Sequence, residues 1–343
     1  MNSKVSIIIP VYNRVGIISE TLESVLAQTF QNWQCFVVDD GSTDGTLEKA
    51  RKIVQGDTRF VFLHRNNSHA KGGSGARNMG WQCCATDWVL FLDSDDVLLP
   101  KALEARVALV KDQAYDFLVM NSCAFKKYPG DHPLLWNRLD ASETCESLLV
   151  RFVNSDMPWN TNSVLWKKAF LSEIGGWDER LSAWQDWDLH TRALLHHPHF
   201  LMEDKVDSYF RISEQNSIGS TYKTKRYLQS VWQTLNNFQK ECTAKQQWNE
   251  ELKKSFRIFV IRSLIRNAIA RNHKFFPVRV VLGKSFFHGV SRMSFLKYYL
   301  LDLISQSTKL KQLFTKTKYH QYRSYIRIKS EHLKLKPEAS KIV

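Results

Sequence analysis

The sequence predicts an α/β fold in which a mostly parallel sheet is flanked by helices, followed by a basic α-helical C-terminal region. The first observation is the repeated alternation of short apolar runs with helical patterns up to Phe210, which is typical of parallel sheets covered by helices. The second is the change to purely helical periodicity after Tyr222. We therefore divide the chain into a catalytic-type domain, residues 1–221, and a C-terminal region, residues 222–343.

Short apolar runs predict the strands, and three-to-four spacing of apolar residues predicts the helices. The first strands are expected at Val5–Val11, Cys35–Val38, Phe60–Leu63, Trp88–Leu92 and Phe117–Met120. Helices are expected between them at Val15–Ala27, Thr43–Val54, Ala76–Ala85 and Pro100–Val110. A further strand–helix pattern runs through Ser163–Trp166, Lys167–Ile174, Asp186–Leu195 and Phe200–Phe210. Helices are also expected around Tyr227–Phe238 and Leu252–Leu264.

Composition excludes several classes of protein. A hydrophobic content of 43% and an aromatic content of 12% over 343 residues exclude a disordered chain. No apolar run approaches the roughly 18–20 residues of a membrane-spanning helix. The N-terminus lacks the pattern of a secretory signal, and the six cysteines lack disulfide-like or metal-binding spacing. We therefore expect a cytoplasmic protein with reduced thiols.

Charge is distributed unevenly. Residues 222–343 contain 26 Lys and Arg but only 6 Asp and Glu. Residues 1–221 contain 22 Lys and Arg and 28 Asp and Glu. A strongly basic segment suggests an anionic partner, either a membrane surface or nucleic acid. Aromatic residues interleaved with the cations favour a membrane surface, and no nucleic-acid-binding signature is present, so no nucleic acid is expected. The alternative is a helical subdomain whose Lys and Arg form its solvated face.

The most informative pattern is the acidic cluster that follows the apolar run 89–92. Asp93, Asp95 and Asp96 come at the expected carboxyl end of a buried strand, where α/β folds place their ligands. Like charges gathered at such a place are costly unless a cation compensates them. A Mg²⁺ or Mn²⁺ ion held by one or two carboxylates and completed by substrate phosphates meets this need. The cluster therefore indicates a metal–diphosphate site.

Three other segments carry candidate site residues. Asp40 lies in the acid- and glycine-rich segment 39–45, which otherwise reads as a polar turn with a helix cap. Arg77 follows the glycine-rich segment 69–75 and offers a fixed cation for a base carbonyl or a phosphate. Asp186 lies among tryptophans and is a candidate general base, although aspartate is also favoured at a helix N-terminus.

The segment 91–98 also resembles the DxDxV signature of haloacid-dehalogenase-type phosphatases, in which Asp93 would be the nucleophile. That family usually opens its domain with this motif, whereas here nearly ninety residues of strand–helix pattern precede it. The expected downstream set of Ser or Thr, Lys and paired Asp is also missing. This interpretation is kept as the alternative.

The order of motifs along the chain resembles that of family 2 glycosyltransferases over roughly residues 4–215. The motifs are IIIPVYNR at 7–14, DDGSTDGT at 39–46, ARNMG at 76–80, DSDD at 93–96, GGWDE at 175–179 and QDWDL at 185–189. The resemblance implies a GT-A fold and inverting transfer from a nucleotide diphosphate sugar. Together the motifs are specific for the family, but they do not identify the substrate.

The resemblance also implies roles for individual residues. Asp40 matches the acid that contacts the base, Asp93 the acid near the ribose and donor sugar, and Asp95 the metal ligand. Asp186 matches the catalytic base. Pro10, Tyr12 and Arg77, which lie in matching motifs, are also expected to bind the donor.

Two positions depart from the family pattern. Gln185 replaces the glutamate that usually precedes the catalytic aspartate, which puts a contact to acceptor or sugar in doubt. Ser213 replaces the histidine of the Tyr-Arg-x-His segment, so any metal or phosphate role there is uncertain.

The expected activity is metal-dependent transfer of a sugar from a nucleotide diphosphate sugar, most simply a UDP-sugar, to a hydroxyl. The acceptor would be a glycan or a lipid-linked molecule in cell-surface polysaccharide synthesis. The cofactor would be Mn²⁺ or Mg²⁺, and the protein would be cytoplasmic, with a peripheral position on the inner face of the plasma membrane.

Overall fold

The computed structural model describes residues 4–132, 134–212, 224–260 and 263–264 and, between 291 and 300, all but 294 and 298. The strands are β1 (Val5–Val11), β2 (Trp33–Asp39), β3 (Phe60–His64), β4 (Trp88–Phe91), β5 (Val97–Leu98), β6 (Phe117–Phe125), β7 (Val164–Lys167) and β8 (Phe200–Arg211). The helices are α1 (Ile18–Leu26), α2 (Thr46–Val54), α3 (Gly73–Cys83), α4 (Ala102–Val110), α5 (Cys145–Val153), α6 (Lys168–Glu173), α7 (Gln185–Leu195), α8 (Lys225–Ala244) and α9 (Glu250–Val260).

The eight strands form one sheet in the order β3-β2-β1-β4-β7-β6-β8-β5. Strands β3, β2, β1 and β4 are all parallel, as the strand–helix alternation predicts. Strand β7 then runs antiparallel to both β4 and β6, and β5 runs antiparallel to β8. The sheet is therefore mixed, with its predicted parallel part confined mainly to the first four strands and to the β6–β8 pair.

Both faces of the sheet are covered, which explains the uninterrupted apolar strands. On one face, α1, α2 and α4 pack against the odd-numbered residues of β1, including Val5, Ile7 and Ile9. On the other face, α3, α5, α6 and α7 cover Ile8 and the neighbouring strands. A parallel strand buried on both faces cannot alternate apolar with polar residues, so its sequence is a continuous apolar run.

Helices α8 and α9 join the larger of these two cores. Leu235 and Phe238 of α8 and Phe256 and Phe259 of α9 are buried in the same cluster as α5 and α7. The proposed boundary between residues 221 and 222 lies outside the described residues, so the division into two domains remains a prediction. Within the part of the chain that the structure describes, no helix is long and apolar enough to cross a membrane.

A fully buried ion pair joins α4 to β8. Arg106 donates from Nε and Nη2 to the two carboxylate oxygens of Asp207, at 2.5 and 2.8 Å, and neither side chain has measurable exposure. Arg106 also donates to the carbonyl of Asn162, at 2.8 Å. Arginine stays protonated in proteins, so the buried Arg106 needs an opposite charge. The Asp207 carboxylate supplies it.

Replacement of Asp207 by Asn should lower the free energy of unfolding by about 3–5 kcal/mol, because the buried Arg106 would lose its counter-charge. Denaturant titration followed by circular dichroism measures this change. The matched control is Asp57→Asn, which breaks the partly exposed Arg59–Asp57 pair and should cost less than about 1 kcal/mol. Equal effects of the two substitutions would contradict the special importance of the buried pair.

Candidate active site

The predicted site residues lie at the carboxyl ends of three neighbouring strands, β2, β1 and β4. Asp40 follows β2, Tyr12 follows β1 and Asp93 comes soon after β4. Because β1 lies between β2 and β4, and adjacent strands are about 4.8 Å apart, the two outer strand ends are separated by about 10 Å. Pro10 is the second-to-last residue of β1 and lies opposite Val38 of β2.

Asp40 and Tyr12 form one side of this edge. The Asp40 side chain is buried and is paired with Arg65, which follows β3 and also donates to the His69 carbonyl at 2.6 Å. Tyr12 is 47% exposed, and the Lys71 ammonium lies 5.5 Å from the centre of its ring. Arg65 was not predicted from the sequence, because its partner is 25 residues away on another strand.

Asp93 forms the other side, together with Arg77 of α3. Nη2 of Arg77 donates to Asp93 at 2.5 Å, and the guanidinium lies 4.5 Å from the centre of the Trp177 ring. The Arg77 side chain is almost completely buried, whereas that of Asp93 is 34% exposed. The position of the Arg77 guanidinium is therefore fixed by the side chains around it.

Asp95 and Asp96 differ sharply although they are adjacent. Burial, followed by the charges of Asp95 and Asp93, raises the pKa of Asp96 well above its ordinary value. Its carboxylate accepts from Asn162 Nδ2 and from the Arg211 backbone N–H, both at 3.0 Å. Burial and the charge of Asp93 also raise the pKa of Asp95, while Arg14 and Arg211 oppose this shift. Through these two hydrogen bonds, Asp96 stabilises the acidic loop 93–96.

The Asp95 carboxylate is left open. Among the described residues it forms no ion pair and accepts a hydrogen bond from its own backbone N–H, while its backbone carbonyl accepts from Arg211 Nε at 3.2 Å. No group of three or more His, Cys, Asp or Glu residues in this part of the chain could hold a metal ion. A divalent cation therefore fits at Asp95 only if substrate phosphates and water complete its coordination.

Arg211, the last residue of β8, is held within the structure by contacts from other elements. Its side chain is only 10% exposed and pairs with Glu20 at 2.7 Å. The guanidinium also lies 4.2 Å from the centre of the Phe125 ring. These contacts come from β6 and α1, which are far from Arg211 in the sequence. Ser213, the other uncertain position in this segment, lies outside the described residues.

Asp186 lies in the first turn of α7. Burial raises its pKa; the Trp187 N–H at 2.9 Å and the positive charge of Arg77 oppose this effect, and the charge of Asp93 adds to it. A Cβ placed on Gly73 would lie 2.8 Å from Arg77 Nη1 and 3.7 Å from Gln185 Oε1, so the first residue of α7 lies beside the cation that is paired with Asp93. The preceding residue, Gln185, donates to the Leu181 carbonyl at 2.8 Å.

The segment 175–179 is held against α3 and the loop that precedes it. Asn78 donates to the Trp177 carbonyl at 2.8 Å and accepts from the Trp177 N–H at 3.0 Å. Glu179 accepts from His69 Nδ1, the Ala70 N–H and Asn78. Burial alone would raise the pKa of Glu179, but these hydrogen bonds lower it. Glu179 is therefore an ionised structural acceptor.

Residues 6–170 match the family described as Glycosyl transferase family 2. WfgD of Escherichia coli, a UDP-Glc:α-D-GlcNAc-diphosphoundecaprenol β-1,3-glucosyltransferase, is 33% identical over 141 residues, which cover 39% of this chain and 54% of WfgD. Three Rickettsia glycosyltransferases are 34–36% identical over 116 residues. The chain spans only 16–19% of the length of these Rickettsia proteins.

Solved structures share the fold at low sequence identity. TarS residues 1–349 of S. aureus, in complex with UDP-GlcNAc, has a TM-score of 0.61 and 18% identity, covering 94% of this chain and 88% of TarS. The mannosyltransferase PcManGT of Pyrobaculum calidifontis, in complex with GDP-Man and Mn²⁺, has a TM-score of 0.53 and 15% identity, covering 95% and 86%. These similarities confirm the predicted GT-A fold.

The phosphatase alternative, with Asp93 as nucleophile, is not supported, since Asp93 is paired with Arg77 inside the matched region. With its motifs, its sheet and its family match in agreement, the chain has the GT-A fold and carries, over residues 6–170, a region that matches glycosyl transferase family 2.

Proposed function

We propose that this protein transfers a sugar from a UDP-sugar to a hydroxyl group of a glycan or lipid-linked acceptor, with inversion at the anomeric carbon. The observation that carries the proposal is the position of α7. Gln185, which precedes Asp186, lies beside Arg77, and Arg77 is paired with Asp93, two residues before Asp95. This arrangement would bring a base, a fixed cation and a metal ligand together at one edge of the sheet.

The nucleoside would bind across the ends of β2 and β1. Tyr12 is exposed enough to pack against a base or ribose, and Pro10 limits the flexibility of the strand below it. Asp40 would accept from the base or the ribose, with Arg65 fixing the direction of its carboxylate. Asp93 would accept from the ribose or the donor sugar while Arg77 holds it in place.

Asp186 would act as the general base. It would take the proton from the acceptor hydroxyl as that oxygen attacks the anomeric carbon from the face opposite the diphosphate. The bond to the leaving UDP breaks in the same step, so no covalent enzyme intermediate forms and the configuration inverts. A raised pKa suits this role, because a stronger base accepts the proton more readily near neutral pH.

Asp95 would hold a divalent cation, Mn²⁺ or Mg²⁺, together with the diphosphate of the donor. When bound, the cation neutralises charge that develops on the leaving diphosphate. Arg14, which follows β1 and whose charge opposes the raised pKa of Asp95, would face the phosphates. Family 2 enzymes often use such cations, and PcManGT was solved with Mn²⁺.

The choice of a UDP-sugar and a lipid-linked acceptor rests on relatives. WfgD uses UDP-Glc and an undecaprenol-linked acceptor, and TarS was solved with UDP-GlcNAc. A role in cell-surface polysaccharide synthesis follows from such an acceptor. The basic residues of 222–343 would hold the protein at the inner face of the plasma membrane, where a lipid-linked acceptor is presented.

Asp186→Asn should lower the kcat of sugar transfer by about 100- to 10,000-fold, because the acceptor hydroxyl loses its base. The dissociation constant of UDP in the presence of Mn²⁺, measured by titration calorimetry, should change by less than about twofold. Asp112→Asn, which makes the same chemical change at an exposed residue, is the control and should have wild-type activity. Wild-type turnover in Asp186→Asn would remove this residue from the base role.

Asp95→Asn should weaken binding of UDP with Mn²⁺ by about tenfold or more, equivalent to at least about 1.4 kcal/mol, because an amide is a poorer ligand than a carboxylate. In the presence of EDTA, the wild-type protein and the variant should bind UDP equally. Titration calorimetry under both conditions separates the contribution of the metal. If the variant binds UDP with Mn²⁺ as tightly as the wild-type protein does, Asp95 is not the metal ligand.

The full-length protein should sediment with vesicles that contain phosphatidylglycerol at 50 mM NaCl and be released at 500 mM NaCl, because salt screens the attraction between basic residues and anionic lipid. Vesicles of phosphatidylcholine alone provide the comparison. Equal recovery in the supernatant with both types of vesicle would count against a peripheral membrane position.

A further inference from the structure

Helix α8 is fastened to the segment immediately before α7. The Ser230 hydroxyl accepts from the backbone N–H groups of Ser182 and Ala183, at 3.0 and 3.1 Å, and donates to the Ala183 carbonyl at 2.8 Å. A hydroxyl has one donor and two acceptor positions, so Ser230 uses its full capacity on one short stretch of backbone. Ser230 itself is buried, with an exposure of 3%.

The next residue, Trp184, adopts a costly conformation. Its backbone is left-handed, with φ 60° and ψ 29°, and it lacks the side-chain cap that usually begins a helix. Its indole N–H donates to the Tyr227 hydroxyl of α8 at 3.0 Å, and its ring stacks on Phe259 of α9 at a centroid distance of 5.3 Å. Contacts from both C-terminal helices thus hold a backbone turn that Trp184 would not favour by itself.

We propose that Ser230 and Tyr227 of α8 are positioning residues for Asp186, which follows Trp184 by two residues. The proposal rests on the base role given to Asp186 under Proposed function. The left-handed turn at Trp184 sets the direction in which α7 begins, and that direction determines where the Asp186 carboxylate points. Residues outside the part that matches the family would therefore control the alignment of the base.

The surroundings of Asp186 make its alignment demanding. Arg77 of α3 and Asp93, which follows β4, are the charged groups that act on it, with opposite effects on its pKa. A shift of α7 by about 1 Å would change both interactions and the distance to the acceptor hydroxyl, and misplacement of this size can cost about 100-fold in rate.

The kinetic test compares Ser230→Ala with Thr234→Val. Thr234 lies one turn later on α8, is fully buried, and its hydroxyl has no hydrogen-bond partner among the described residues. The full-length protein is assayed for release of UDP from UDP-glucose and UDP-GlcNAc. Ser230→Ala should lower kcat by about 10- to 100-fold with the KM for the donor within about twofold, whereas Thr234→Val should have wild-type constants.

The pH profile distinguishes positioning from simple loss of stability. A loosened segment would hydrate Asp186 and lower its raised pKa, so the acid limb of kcat should move to lower pH in Ser230→Ala. Loss of folded protein alone would reduce the rate at every pH without moving the limb. Wild-type kcat and an unmoved limb in Ser230→Ala would overturn the proposal. If Ser230→Ala does not fold, Tyr227→Phe, which removes the acceptor of the Trp184 N–H, is judged by the same two criteria.

A second measurement does not depend on activity. Because folding raises the pKa of Asp186, the protonated form stabilises the folded state at acid pH, and this stabilisation is lost as pH rises through the raised pKa. The unfolding free energy of the wild-type protein should therefore fall relative to Asp186→Asn between pH 4 and pH 7. This difference should shrink when Ser230→Ala is added to both proteins and persist when Thr234→Val is added.

The two proposals can fail separately. An unchanged difference in the Ser230→Ala background would overturn the positioning role whatever the activity. Absence of UDP-sugar turnover in the wild-type protein would count against the proposed function alone, because the stability comparison still tests the link between α8 and Asp186.

Discussion

Mutual repulsion among three carboxylates within four residues is the constraint that organises this active site. The structure meets it differently for each aspartate. Asp93 is paired with the buried Arg77, and Asp96 is buried with hydrogen bonds from Asn162 and from the Arg211 backbone. The carboxylate of Asp95, between them, has no ion-pair partner and no hydrogen bond from another residue in the described part of the chain. Because the outer two carboxylates are held by protein groups, a bound cation would gain most electrostatic stabilisation at the middle one, Asp95.

These fixed carboxylates depend on a second layer of buried polar contacts. Asn162 holds Asp96 through its side chain, while its carbonyl accepts from Arg106. Arg106 is in turn neutralised by Asp207 of β8, the strand that ends at Arg211. The two-residue strand β5 begins directly after the acidic loop and pairs antiparallel with β8, with Val97 opposite Tyr209. The mixed edge of the sheet is therefore what keeps the acidic loop in place.

Local patterns predicted most of the elements, because apolar runs and helical spacing reflect burial on one or two faces. Strand β1 was predicted with its observed bounds, and α7 was one residue short. The order of the motifs also predicts that Asp93 and Asp186 belong to the same site. The partners of Asp40 and Asp96 could not be predicted, since Arg65 and Asn162 are brought to them by the topology of the sheet. Sequence spacing carries no information about such pairs.

The residues that match the family and the helix that carries Asp186 lie in different parts of the chain. The match to the family ends at residue 170, before α7 begins, so the residues proposed to bind the donor lie inside the matched region and the proposed base, Asp186, lies beyond it. The surroundings of α7 come from α8 and α9, where Phe238 and Phe259 pack around Trp187. The helix whose first turn carries the proposed base is therefore supported by elements of the C-terminal part of this chain. Because a base in that helix would act on the acceptor hydroxyl, we expect differences in acceptor choice among relatives to arise from this packing more than from the acidic loop.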